Sequence, residues 1–188
     1  MVNMAILKIA RMGHPVLLQR AQPISDPGAE QIRSLVADMT ETMLDAEGIG
    51  LAAPQVHRPL RLILFVDAEE RDEVPGRQPL ALINPELEPL DDALEPGWEG
   101  CLSIPGLRGV VSRYRRIGYR GLTLDGRTLE REAQGLHARV VQHEIDHLDG
   151  VLYPMRMPDL SRLTFESELR HCVVESDEGE PHEPADQP

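Results

Sequence analysis

Two histidines four residues apart, His143 and His147, enclose Glu144, Ile145 and Asp146 in a stretch with helical periodicity. Residues at that spacing lie one above the other on a helix face, so both imidazoles can reach a single metal ion. Glu144, beside the first imidazole, is placed to handle protons for a water at that ion. Leu136, Val140, His143 and His147 recur at i, i+4, i+7 and i+11, which puts the histidines on the apolar stripe and turns them inward. A solvated helix carrying two histidines by chance would not place them on that stripe.

Catalytic sites of this kind normally use three protein donors and leave a position open. The extended HExxHxxGxxH pattern is not met: Gly150 takes its glycine position, but Tyr153 stands where the third histidine would. Glu166 and Glu168, downstream, are candidate carboxylate donors. Upstream, Cys101 lies in EGCLSIPG (99–106), and a thiolate suits zinc or ferrous iron. Taken by itself, a lone cysteine is better read as an inert, small buried hydrophobe. A third segment, GIGLAAPQ (48–55), has small residues that permit close backbone approach and ends on the polar Gln55.

Taken together, the three segments resemble the peptide deformylase family, type I-like, which is marked by GϕGLAAxQ, EGCLS and HExDH in that order. Here they read GIGLAAPQ (48–55), EGCLS (99–103) and HEIDH (143–147), and the resemblance runs from about residue 6 to about residue 169. It implies that Cys101, His143 and His147 hold one divalent metal, with the fourth position left to water. Glu144 is then general base and later general acid. The Gln55 amide and the Leu102 backbone N–H are the oxyanion donors.

The implied reaction removes the formyl group from N-formylmethionyl nascent peptides and releases formate. Ile49, Leu136 and Val140 are the expected walls of the methionine slot, Gly50 a backbone partner for the peptide, and Arg108 a basic neighbour. Ferrous iron is the implied metal in the cell, and zinc, nickel or cobalt suit the same donors. The chain departs from many relatives in having Ser112 between Val111 and Arg113, and Arg139 where several carry an aliphatic residue. Glu99 is expected to pair with Arg113 and hold the cysteine loop.

The elements that must position these residues read as an α+β fold: strands wrapped around a central helix carrying HExxH, with N-terminal and C-terminal helices. Ser25 or Asp26 is expected to cap the first helix, with Pro27 in its first turn and Ile32, Leu35, Val36, Met39 and Met43 on its buried stripe. Strands are expected at 60–67, 80–84, 109–114 and 117–124, the first two joined by a charged loop around Pro75 and Gly76. Asp125-Gly126 makes a hairpin turn into a strand ending near 132. The metal helix is expected at 136–149 and a last helix at 159–174.

The length of 188 residues, 41% apolar, suggests one domain at 1–174. The stretch 175–188 has six acidic residues, three prolines and no lysine or arginine, and is expected to be a disordered tail. The net charge is −13, which argues against specific nucleic-acid binding. Some relatives dock on ribosomal RNA through a basic terminal helix. An acidic tail is repelled by phosphate, so any ribosome contact is expected to be transient. Arg108, Arg113, Arg115, Arg116 and Arg120 form one local basic cluster, read as a solvated hairpin face.

Cys101 and Cys172 provide no disulfide framework and suit a cytoplasmic protein. No apolar run is long enough to cross a membrane. Two other classes fit parts of this pattern: a metalloprotease using a downstream glutamate, and a non-catalytic metal-binding module associated with the ribosome. The first gives Cys101 no role, and the second gives none to Glu144 or Gln55.

Overall fold

The computed structural model describes residues 5–66 and 79–172. The loop around Pro75 and Gly76 and the tail at 175–188 lie outside the described residues.

The run Leu62–Phe65 shows how the architecture is built. It forms a strand with every residue buried. Ile63 and Phe65 pack with Ala138, Val141 and Ile145, while Leu62 and Leu64 pack with Leu35, Met39 and Met43. A strand covered on both faces must be apolar throughout, which is how this run reads.

The strands are β1 (Gly50–Ala52), β2 (Leu62–Phe65), β3 (Leu80–Pro89), β4 (Leu94–Cys101), β5 (Ile104–Tyr114), β6 (Arg116–Leu122), β7 (Thr128–Gln134) and β8 (Leu163–Phe165). The α-helices are α1 (Glu30–Asp45) and α2 (Gly135–Leu148). One sheet has the order β1-β2-β3-β6-β7 and the other β4-β5-β8, with every pairing antiparallel. Helix α2 packs against the first sheet and also reaches β5 of the second, so it is the central element. From Val140 to Leu148 every one of its residues is buried.

The structure differs from the sequence expectations at several elements. Helix α1 starts at Glu30, with Ala29 as its uncapped N-terminal flank. Asp26 is used earlier, its Oδ1 accepting the Gly28 N–H at 3.0 Å in a turn through Pro27. Strand β3 runs on to Pro89, and β1, β4 and β8 are strands that the sequence reading did not separate out. The helix expected at 159–174 is broken into two 3-10 turns, Leu160–Arg162 and Glu166–His171, around β8. There, Leu163–Phe165 finds the open edge of β5 and pairs with it, and sheet pairing overrides the local helical pattern.

Four of the five clustered arginines have carboxylate partners, and Arg115 is exposed. Arg113 is buried between Glu99 and Asp146, Arg108 pairs with Glu166, Arg116 with Glu132, and Arg120 with Glu86.

Candidate metal centre

Cys101 ends β4 at an irregularity in its pairing with β5. Gly100 lies opposite Arg108, but Cys101 lies opposite Ile104, which closes a tight turn through Leu102 and Ser103. That turn carries the sulfur to the buried face of α2, 3.2 Å from His147 Nε2. His143 and His147 stand one turn apart, ring centroids 5.0 Å from each other and nearly perpendicular. Ligand atoms of Cys101, His143 and His147 all fall within 4.8 Å of one another, the sole such group of three among the described residues.

The imidazoles are held differently. His143 Nδ1 contacts Glu99 Oε2 at 2.8 Å, which leaves Nε2 for a ligand. Its ring also stacks on Tyr153. Burial disfavours a charge on His143, but hydrogen bonds to Cys101 and Glu99 outweigh that and hold its pKa above the ordinary value. Burial drives His147 the other way and keeps it neutral. A sulfur and two buried imidazoles make a donor set suited to a borderline-soft divalent cation. The arrangement therefore fits a resident metal.

Glu99 is the hub beneath this group. Besides His143, it receives Arg113 in a two-pronged pair (2.8 and 2.9 Å) and Arg139 at 3.0 Å. Arg113 continues to Asp146 at 2.5 Å, and Asp146 also takes Arg156 at 2.6 and 3.1 Å. The Glu99–Arg113 pairing expected from the sequence is present. The roles of Asp146, Arg139 and Arg156 went unread. Asp146, three residues after His143 and so on a neighbouring helix face, was the available signal.

Above the donors lies a cavity of about 560 Å³. Its lining includes Cys101, His143, Glu144, Gln55 and Leu102. Gly50, Ile49, Leu136, Val140 and Arg108, the expected peptide-binding residues, line it too. Leu136 does not face inward with the rest of its stripe: it is 53% exposed and borders the open cavity, while His137 and Ala138 of the same turn are buried on the sheet side. Arg139, whose departure from the family pattern bears on the shape of the substrate entrance, lines the cavity as well, as does Trp98, which was not foreseen there.

Glu144 is buried, and burial pushes its carboxyl up to about 7. Its Oε2 has no protein hydrogen-bond partner. Gln55 is oriented by its own loop. Its Oε1 accepts the Ala52 N–H at 2.8 Å, so Nε2 is turned towards Ser103 Oγ (3.2 Å) and Cys101 Sγ (3.5 Å). Glu166, considered as a downstream ligand, instead binds Arg108, and Glu168 lies 4.0 Å from His171.

A family model described as polypeptide deformylase matches residues 6–163. The chain belongs to the peptide deformylase family. Peptide deformylase 1 of Xanthomonas campestris pv. campestris is 51% identical over 168 residues, covering 88% of this chain and 98% of that protein. The peptide deformylase of Synechococcus elongatus, solved in complex with actinonin, superposes with a TM-score of 0.76 at 39% identity, covering 85% of this chain and 83% of that one. The class I type b peptide deformylase of Acinetobacter baumannii, solved with Met-Ala-Ser bound, gives 0.74 at 35% identity, covering 81% and 99%. The deformylase fold is thus shared over most of this chain.

Proposed function

We propose that this chain is a metal-dependent hydrolase that removes the N-formyl group from the formylmethionine of newly made polypeptides, releasing formate. The observation that carries the reading is the Cys101, His143 and His147 group, which opens through Cys101 and His143 onto the same cavity as Glu144 and Gln55. Family membership supports it.

Cys101, His143 and His147 hold the divalent cation. When bound there, it supplies Lewis-acid polarisation and a lowered water pKa. Glu144, with a carboxyl near 7 and an oxygen free of protein partners, takes the proton of the attacking water. It then delivers that proton to the departing amine, so one group serves both halves of the reaction. Gln55, its amide orientation set by Ala52, presents N–H groups to the oxygen on which charge develops. The Leu102 backbone N–H, in the turn after Cys101, is the second donor. Ile49, Leu136 and Val140 wall the methionine slot, Gly50 holds the peptide through its backbone, and Arg108 flanks it.

Ferrous iron is the cellular metal in this reading, and the S/N/N donor set accepts zinc, nickel or cobalt as well. The partners are N-formylmethionyl nascent chains, with at most transient ribosome contact and no specific nucleic acid. The place of action is the cytoplasm, in keeping with two unpaired cysteines. No described helix is long and apolar enough to cross a membrane. The test is formate release from formyl-Met-Ala-Ser by protein loaded anaerobically with ferrous iron, with the unformylated peptide left intact. Internal cleavage of that second peptide would favour a protease instead.

A further inference from the structure

The cavity mouth carries a charge arrangement that the chemistry at Cys101 and Glu144 does not use. Pairing of β8 with β5 sets Arg108 opposite Thr164, and Glu166 follows two residues later. Its Oε1 accepts from Arg108 Nε at 3.1 Å and from Nη2 at 2.6 Å. The third guanidinium nitrogen, Nη1, lies over the bare backbone of Gly100, where a Cβ would stand 2.6 Å from it. Gly100 precedes Cys101, so Arg108 reaches from the donor group outward to the rim. Glu166 ends that reach, with its side chain 52% exposed against 40% for Arg108. Glu47, also exposed, lines the same cavity.

We propose that Glu166 is a specificity-determining residue that makes the mouth favour peptides with basic residues after the formylated one over peptides with acidic residues. The assignment rests on the deformylase reading above. Glu166 neutralises Arg108, Arg139 is already paired with Glu99, and Glu47 adds an exposed negative charge. An acidic substrate side chain must displace Glu166 from Arg108 and approach Glu47. A basic one meets two carboxylates. Exposed pairs of this kind discriminate by about two- to fivefold, and salt screens them.

The experiment compares kcat/KM for formyl-Met-Ala-Lys and formyl-Met-Ala-Glu in the parent and in Glu166→Gln. The affinities of the products Met-Ala-Lys and Met-Ala-Glu are measured by calorimetry alongside. The parent is expected to favour lysine by about two- to fivefold at low salt, the ratio falling towards one in high salt. In Glu166→Gln the ratio should drop to one or below, through KM and product affinity and not kcat. The same ratio in parent and variant, or a ratio indifferent to salt, would overturn the assignment alone, provided that formyl-Met-Ala-Ser is processed. No formate from formyl-Met-Ala-Ser with the metal-loaded parent would overturn the deformylase reading and this assignment with it.

Discussion

Gly50 lies against the carboxylate of Glu144 so closely that a Cβ at position 50 would occupy the space of Glu144 Oε1. The first residue of β1 is therefore part of what shapes the α2 carboxylate proposed to handle protons. Gly50→Ala is expected to fold, since the backbone there needs no positive φ. It should lower kcat by about 100-fold by displacing the carboxylate. Metal content, measured by elemental analysis, should stay at the parental level, because no ligand is touched.

Gln55→Ala removes a donor whose direction is fixed by the Ala52 N–H. The loss expected in kcat is about 10²- to 10³-fold, with a smaller change in KM, since the interaction matters most when the oxyanion forms. Steady-state kinetics at matched metal loading would reveal it. A rise in KM alone would assign Gln55 to ground-state binding.

Glu99 joins His143 to Arg113 and Arg139, so Glu99→Gln should act on metal and fold together. Metal affinity, measured by competition with a chelator, is expected to fall about 10- to 100-fold. Arg113, 5% exposed, would be left with Asp146 as its carboxylate partner. Breaking a buried pair typically costs about 3–5 kcal/mol, readable by urea unfolding.

Acid should erase that same contribution. Burial alone would raise the Glu99 carboxyl, but hydrogen bonds from Arg113 and His143 outweigh it and bring it from 4.5 to about 2. A carboxylate depressed in the folded state gives stability that is fully present above its unfolded pKa and is lost as pH falls through the folded one. The window is thus about pH 4.5 down to 2, and the effect is on the order of 3 kcal/mol. In metal-free protein, the stability gap between the parent and Glu99→Gln should be widest above pH 4.5 and close towards pH 2. A gap that does not change with pH would assign the stability to packing.

Much of the site could be read from local spacing, because its chemistry is local. The i, i+4 histidines lie on one helix face, and Gln55 is oriented by Ala52 three residues away. Strand β2 was legible because burial on both faces leaves no polar position. Contacts that span the chain were harder. Asp146 meets Arg113 across 33 residues and Arg156 across 10, and nothing in the composition distinguishes those arginines from the solvated ones. Strand β4 was obscured by Pro96, Gly97 and Gly100, which read as loop and yet pair in register with β5. The segment after 159 carries a helical pattern that an open sheet edge overrules. Leu136 shares the spacing of the buried stripe, but spacing does not say where a cavity interrupts the packing.

Formate release from formyl-Met-Ala-Ser, compared between parent and Glu144→Ala at equal ferrous iron content, tests the proposed chemistry most directly. Glu144 is outside the donor group, so the variant should keep its metal. Its kcat/KM is expected to drop by about 10²- to 10⁴-fold, the worth of a positioned proton carrier. Release at the parental rate from a metal-loaded variant would contradict the role given to Glu144, and absence of release from the parent would contradict the activity itself.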